Sequence, residues 1–200
     1  MNVVFDLGGV VFRWDPDALV RRVFQDPEIQ SRVKVGIFGH EDWVALDRGT
    51  LELDDAVVRG MSRTGLPRED IERLFGAVPG SLTPIPGAFE LIREAKHAGN
   101  RLYVLSNMHL PSITHLETSH DVWHLFEGAV ISCRINKMKP EREIYEHLLD
   151  EYRLQASETV FIDDMHENLV AASQLGIRTI AFIDASQCRE EMLKLGCLTG

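Results

Sequence analysis

Five short apolar runs punctuate the chain: Val3-Val4-Phe5, Leu102-Tyr103-Val104-Leu105, Ala129-Val130-Ile131, Val160-Phe161-Ile162 and Thr179-Ile180-Ala181-Phe182-Ile183. Each is rich in β-branched or aromatic residues, and none alternates with polar positions. That pattern predicts strands buried on both faces, hence a mostly parallel sheet. Helical spacing precedes or separates the last four runs. Ala88, Leu91, Ile92 and Ala95 fall at i, i+3, i+4 and i+7, and Gly99 can end their helix. Pro140 suits a first helical position ahead of Ile144, Tyr145 and Leu148. Met165, Leu169 and Ala172 share a helical face, with Gly176 as a stop signal. Such alternation predicts an α/β fold, a doubly wound parallel sheet with right-handed crossovers.

Residues 14–86 break the alternation. Helical stretches are expected near 17–24, 54–63 and 68–75, and no strand is expected there. Gly60 weakens the second stretch, because an interior glycine costs about 1 kcal/mol against alanine. Pro79, Gly80, Pro84, Pro86 and Gly87 then crowd one short segment, as a hinge would. The reading is an all-helical insertion after the first strand. It divides the chain into an α/β core of residues 1–14 and 84–200 and a helical unit of residues 15–83.

Composition narrows the function classes. The 200 residues include 31 acidic and 21 basic side chains, for a formal charge of -10. That balance argues against nucleic acid as a partner and against adsorption to anionic membranes. Taken as an average, it also argues against phosphorylated substrates. Cys133, Cys188 and Cys197 form an odd, sparse set without a CxxC pair, which predicts free thiols in a reducing compartment. Asp6 interrupts the first apolar run and no basic segment precedes it, so a secretory leader is not expected. No run approaches the roughly 20 apolar residues of a membrane helix. A cytoplasmic location is the expectation.

In an open parallel sheet, ligands bind beyond the carboxyl ends of the strands. Asp6 stands at the first such exit, Ser106 and Asn107 at the second, and Asp163 and Asp164 at the fourth. Lys139 opens the helical segment after the third. Singly, each residue could be a turn or a helix cap. Together they bring acids, a hydroxyl and a cation to one rim. A carboxylate can attack phosphorus to form an acyl phosphate. Mg²⁺ prefers a few carboxylates together with substrate phosphate oxygens. Lysine and serine can hold a transferring phosphoryl group, whose transition state demands positioning and charge stabilisation.

The motifs Phe5-Asp6-Leu7-Gly8-Gly9-Val10, Leu105-Ser106-Asn107, Lys139-Pro140 and Phe161-Ile162-Asp163-Asp164 resemble, in order and strand context, the four signatures of the haloacid dehalogenase (HAD) superfamily. The resemblance spans nearly the whole chain and implies a Rossmann-like core with a helical cap. Leu46-Asp47-Arg48-Gly49-Thr50 and the segment from Lys137 to Tyr145 are most similar to bacterial phosphatases of the glucose-1-phosphate type. The implied roles are Asp6 as nucleophile and metal ligand, the Gly8 carbonyl as a further ligand, Ser106 and the Asn107 backbone as phosphoryl binders, and Lys139 as the bridge between nucleophile and phosphate. Asp164 would be the main acidic ligand of the fourth motif, with Asp163 behind it and Asn168 in support. The implied cofactor is Mg²⁺, and the implied partner a small phosphorylated metabolite such as a hexose 1-phosphate.

One position departs from the pattern. Most phosphatases of this superfamily carry an aspartate two residues after the nucleophile as general acid and base, an assistance typically worth 10²–10⁴-fold. Here that position is Gly8. A substrate with a good leaving group, a substitute acid such as Asp15 or Asp47, or a slow phosphometabolite-binding relative would each account for it. A 2-haloacid dehalogenase, which lacks the second aspartate and needs no metal, is the enzymatic alternative. Trp14, Asp15, Trp43 and Arg48 are candidates for contacts at the cap and rim. His120 and His124 stand at i, i+4 without the glutamate of a zinc-protease helix, so no zinc site is expected.

Overall fold

A computed structural model describes residues 1–199. All five predicted strands form: β1 (Asn2–Phe5), then β4 (Arg101–Ser106), β5 (Gly128–Ile131), β6 (Thr159–Asp163) and β7 (Arg178–Ala181), after a short ribbon of β2 (Phe12–Arg13) and β3 (Thr83–Pro84). The main sheet is wholly parallel, in the order β5-β4-β1-β6-β7. Its central strand β1 is buried at every position, as uniform apolar runs require when helices cover both faces. The chain winds outward from β1 through β4 to β5, then crosses back to β6 on the other side of β1. The switch in winding direction therefore falls between β1 and β6. Pairing of Phe5 with both Val104 and Ile162 aligns the carboxyl ends of the three middle strands.

The covering helices are α6 (Ala88–His97), α7 (Leu110–Ser119), the short α8 (Ser132–Ile135), α9 (Arg142–Glu151), α10 (His166–Ser173) and α11 (Ala185–Lys194). Three details differ from the sequence pattern. Helix α9 starts at Arg142, so Pro140 lies ahead of the helix, after a cis Lys139–Pro140 peptide bond. Lys139 also stands outside the helix, its backbone held by Asn107. Helix α10 buries Leu169 and Ala172, whereas Met165 sits at its N-cap, largely exposed. The last strand ends at Ala181. Beyond it Phe182 is buried and Ile183 is 77% exposed.

The insertion contains α1 (Pro16–Val23), α2 (Pro27–Val33), α3 (Glu41–Arg48), α4 (Leu53–Thr64) and α5 (Arg68–Ala77), with a π-helical turn at Lys34–Phe38. They enclose their own apolar cluster, including Leu19, Val33, Ile37, Leu74 and Phe75. Gly60 is explained by packing: a β-carbon there would stand 2.6 Å from Ile37 Cδ1. The apolar pattern predicts no strand within 14–86, yet Thr83–Pro84 pairs antiparallel with Phe12–Arg13 and clasps the two crossings of the chain. The exit of α3 docks on the α/β layer. Arg48 forms an ion pair with Glu141, and Asn136 Nδ2 donates to the carbonyls of Arg48 and Gly49 at 3.1 and 3.0 Å. Gly49 has φ +79°, and a β-carbon would lie 2.3 Å from the Cys133 carbonyl oxygen, so only glycine permits this approach. The three cysteines are free thiols. No helix among the described residues is long and apolar enough to cross a membrane.

Candidate active site

Asp6 leaves β1 beside the switch point and is 6% exposed. Its Oδ1 accepts the Leu7 N–H at 2.7 Å and lies 2.8 Å from Lys139 Nζ. The same ammonium donates to Asp163 Oδ2 at 2.7 Å. Lys139 thus bridges two buried carboxylates from neighbouring strand exits. Asp163 is fully saturated: Asn168 Nδ2 donates to both its oxygens at 3.0 Å, and the Met165 N–H donates to Oδ1 at 2.7 Å. Asp164, by contrast, is exposed. Asp6, Asp163 and Asp164 each offer an oxygen within 4.8 Å of the others.

Three carboxylates against one lysine leave an excess of negative charge. Burial pushes the Asp6 carboxyl up to about 7, opposed by Lys139 and reinforced by Asp163. Asp164 is raised by burial and then by Asp163. Burial pulls on the Lys139 ammonium the other way, but Asp6 and Asp163 together outweigh it and hold the ammonium above its ordinary value. The donor set is oxygen-rich and acidic, which suits a hard divalent cation such as Mg²⁺.

The second strand exit supplies the neutral groups. Ser106 is fully buried, and its Oγ has no hydrogen-bond partner at normal length, although it lies near enough to Asp6 to favour the ionised carboxylate. A buried hydroxyl left open in this way calls for a ligand. The Asn107 side chain clamps a neighbouring loop. Its Nδ2 donates to the Lys139 carbonyl and its Oδ1 accepts the Lys139 N–H, both at 2.8 Å. That clamp sets the lysine across the two aspartates.

The loop Gly8-Gly9 closes the site. A β-carbon on Gly8 would meet nothing within 4 Å. Gly9, at φ +77°, is packed so tightly that a β-carbon would lie 2.3 Å from Asp164 Oδ2. Substituting Gly9→Ala should therefore displace the Asp164 carboxylate. Because groups that orient metal ligands typically contribute 10–100-fold to affinity, titrated Mg²⁺ should bind the Gly9→Ala protein more weakly by about that factor if these acids hold a cation. An unaltered Mg²⁺ affinity would count against Asp164 as a ligand.

Next to Gly8 and Asn107 lies a cavity of about 80 Å³, lined also by Trp14, Trp43, Asp47, Val78, Leu82, Met108, His109 and Ser112. Trp14 and Trp43 stack at 5.6 Å with planes 8° apart, and Trp43 also stacks on Phe75. Of the rim candidates, both tryptophans line the cavity. Arg48 is committed to Glu141. Asp15 is exposed and caps α1 by accepting the Ala18 N–H. His120 lies against Phe12 at the end of α7, and His124 is in a separate 3₁₀ turn, so they share no helix face. Ser112, Val78 and Leu82 join the lining without any mark in the sequence. There they read as ordinary core or helix residues.

A Rossmann-type sheet thus carries an aspartate, a buried lysine and an acid pair at its switch point. The family model for haloacid dehalogenase-like hydrolases matches residues 1–176. The chain belongs to that family. It is 33% identical over 195 residues to the sesquiterpene phosphatase astK of Aspergillus oryzae, covering 97% of this chain and 96% of that protein. It is 24% identical over 197 residues to the drimenol cyclase drtB of Aspergillus calidoustus, of which it spans 36%. Among solved structures, a HAD-like hydrolase from Porphyromonas gingivalis superposes with TM-score 0.75 at 20% identity, covering 97% of this chain and 96% of that one. The HAD enzyme bt-2542 of Bacteroides thetaiotaomicron, in complex with magnesium and inorganic phosphate, gives 0.68 at 22% identity, covering 92% and 94%.

Proposed function

We propose that the protein is a Mg²⁺-dependent phosphatase that cleaves small phosphate monoesters through an aspartyl-phosphate on Asp6. The observation that carries this reading is the Asp6–Lys139–Asp163 bridge, with Asp164 and the open Ser106 hydroxyl beside it. Asp6, the Gly8 carbonyl and Asp164 would hold the cation, with Asp163 behind them. When bound, Mg²⁺ would supply charge neutralisation for the phosphoryl oxygens.

The chain's own residues do the rest. The firm donors to Asp6, Leu7 N–H and Lys139, both sit on Oδ1, so Oδ2 is the oxygen presented to phosphorus. Lys139 favours the ionised form of Asp6 against the pull of burial and offers its remaining proton to a phosphoryl oxygen. The Ser106 hydroxyl and the backbone N–H of Asn107, which no described protein acceptor takes, bind the other oxygens. Residues 15–83 act as a cap over the core formed by 1–14 and 84–200, and the aromatic cavity between them excludes water from the ester.

The leaving group is best read as apolar. The tryptophan pair, Val78, Leu82 and Met108 would bury hydrocarbon, whereas of the polar lining residues Asn107 is committed to Lys139 and His109 to Asp47 and Ser112, which leaves few groups for the hydroxyls of a hexose. Trp14 also borders a separate open hollow, where Ile85, Phe182 and Ile183 stand beside the charged Arg13 and Asp184. The 33% identity to a sesquiterpene phosphatase supports the same reading. The test is release of inorganic phosphate from an apolar alkyl monophosphate, a hexose 1-phosphate and p-nitrophenyl phosphate, with Mg²⁺ and after chelation. The alkyl ester should be turned over with a higher kcat/KM than the sugar ester, and chelation should stop both. A preference for the hexose 1-phosphate would overturn the apolar assignment, and metal-independent turnover would overturn the cation's role.

A further inference from the structure

A phosphatase of this kind must protonate an alkoxide and later deprotonate a water. Gly8 supplies no side chain for either step. The space beside its α-carbon is open, since a β-carbon would meet nothing within 4 Å, and Gly8 faces the aromatic cavity. The only carboxylate lining that cavity among the described residues is Asp47, which reaches it from the end of α3. Its side chain is 18% exposed.

Asp47 is held from both ends, by the loop that follows β4 and by the first residue of α8. Its Oδ1 lies 3.2 Å from His109 Nδ1, while its backbone carbonyl accepts from Ser132 Oγ. Ser132 Oγ in turn accepts the Met108 N–H at 2.9 Å. His109 is 4% exposed, packs its ring edge against Trp43, and has its second nitrogen 3.2 Å from Ser112 Oγ. A buried, doubly held imidazole fixes one oxygen of the carboxyl. The other, Oδ2, receives no donor from the described protein residues.

We propose that Asp47 is the general acid and base that Gly8 does not supply, and that His109 is the residue that positions it. The inference rests on the phosphatase reading above. In the first step an Asp6 oxygen forms a bond to phosphorus, the bond from phosphorus to the ester oxygen breaks, and that oxygen takes the proton of the Asp47 carboxyl to leave as an alcohol. In the second, Asp47 carboxylate takes a proton from water as the water oxygen bonds to phosphorus. The bond from phosphorus to Asp6 breaks, phosphate leaves, and Asp47 is protonated again. The net reaction is ester plus water to alcohol plus phosphate. An acid delivered by the insertion is present only while α3 is docked, so protonation is tied to the docked arrangement held by Gly49, Asn136 and the Arg48–Glu141 pair.

The test compares two leaving groups in the Mg²⁺-loaded full chain. An apolar alkyl phosphate needs its oxygen protonated, and p-nitrophenyl phosphate does not. Asp47→Asn should lower kcat/KM about 100-fold or more for the alkyl ester and less than about tenfold for the nitrophenyl ester. His109→Gln should produce the same selective loss in weaker form. Asp47→Asn combined with Gly8→Asp, whose new side chain has open space to occupy, should recover alkyl turnover. Equal losses on both esters, or no loss on the alkyl ester, would overturn the assignment while leaving the phosphatase reading intact. Failure of Gly8→Asp to recover alkyl turnover, with nitrophenyl turnover retained, would also overturn it. Absence of phosphate release by the unmutated protein from either ester would overturn both.

Discussion

Asp6→Asn is expected to eliminate phosphate release, by about 10⁴-fold or more, and to make the metal-free protein more stable at pH 8. The two effects share one cause. Asp6 is a buried carboxyl with its pKa raised from 3.8 to about 7, chiefly by burial. The folded state therefore binds more protons than the unfolded one between those values, and stability falls as pH rises through that window. Above it the Asp6 charge joins Asp163 at the single ammonium of Lys139, with Asp164 beside them. Asparagine removes that charge and leaves Lys139 in contact with Asp163 as its one carboxylate partner. Melting temperatures at pH 5 and pH 8 without divalent cation should drop between the two for the wild type and change less for the variant. Added Mg²⁺ should reverse the order, because a cation at 100 times its Kd stabilises by about 2.7 kcal/mol and the variant has lost a ligand. A variant no more stable than wild type at pH 8, or stabilised equally by Mg²⁺, would contradict the charge excess at this rim.

That excess also settles how the overall charge should be read. A formal charge of -10 argues against phosphate when averaged over the surface. At the site, however, acids gathered within 4.8 Å of one another could hold a divalent cation. A bound cation together with Lys139 inverts the local sign. Global charge carries no information about a ligand of this size.

What the sequence discloses follows from how far each feature depends on local chain chemistry. The five strands are legible because burial on both faces demands continuous apolar runs, and a run's end marks a strand exit. Asp6, Ser106, Asp163 and Asp164 are legible for that reason. Lys139 is legible as a residue near the rim, but its backbone is fixed by Asn107, 32 positions away, so its place ahead of α9 is not. The family resemblance already sets Asp164 ahead of Asp163 in the acid pair, but the hydrogen bonds from Asn168 and Met165 that saturate Asp163 are legible only in the fold. Helices α2 and α3 leave little trace because each is at most about two turns long and its apolar residues face a small cluster of the insertion's own. The β2–β3 ribbon is two residues long and has no periodicity to read. The pairing of Asp47 with His109 joins positions 62 apart, from different layers of the molecule.

The largest loss of stability should come from Lys139→Met. The lysine side chain is almost fully buried, lies 5.4 Å from the Phe161 ring centroid, and is the only cation between Asp6 and Asp163 among the described residues. Methionine fills similar volume, so the change is mainly electrostatic. Removing one partner from a buried ion pair costs about 3–5 kcal/mol, because the remaining charge stays desolvated, and here two carboxylates remain. The Asn107 clamp binds only the Lys139 backbone and survives the substitution, so the loop itself should keep its place. Denaturant unfolding should show the loss in full at pH 8 and a smaller one at pH 5, where a shared proton can replace the ammonium. Activity should fall by about 10²–10³-fold, the usual cost of losing one donor to a developing anionic centre. Adding Asp6→Asn removes one of the two stranded carboxylates. Asp6→Asn should then stabilise the Lys139→Met background by more than it stabilises the wild type, a non-additivity expected of groups in one charge network. Simple additivity of the two substitutions would mean that Lys139 holds the site by packing, and the charge-bridge account of this rim would have to be given up.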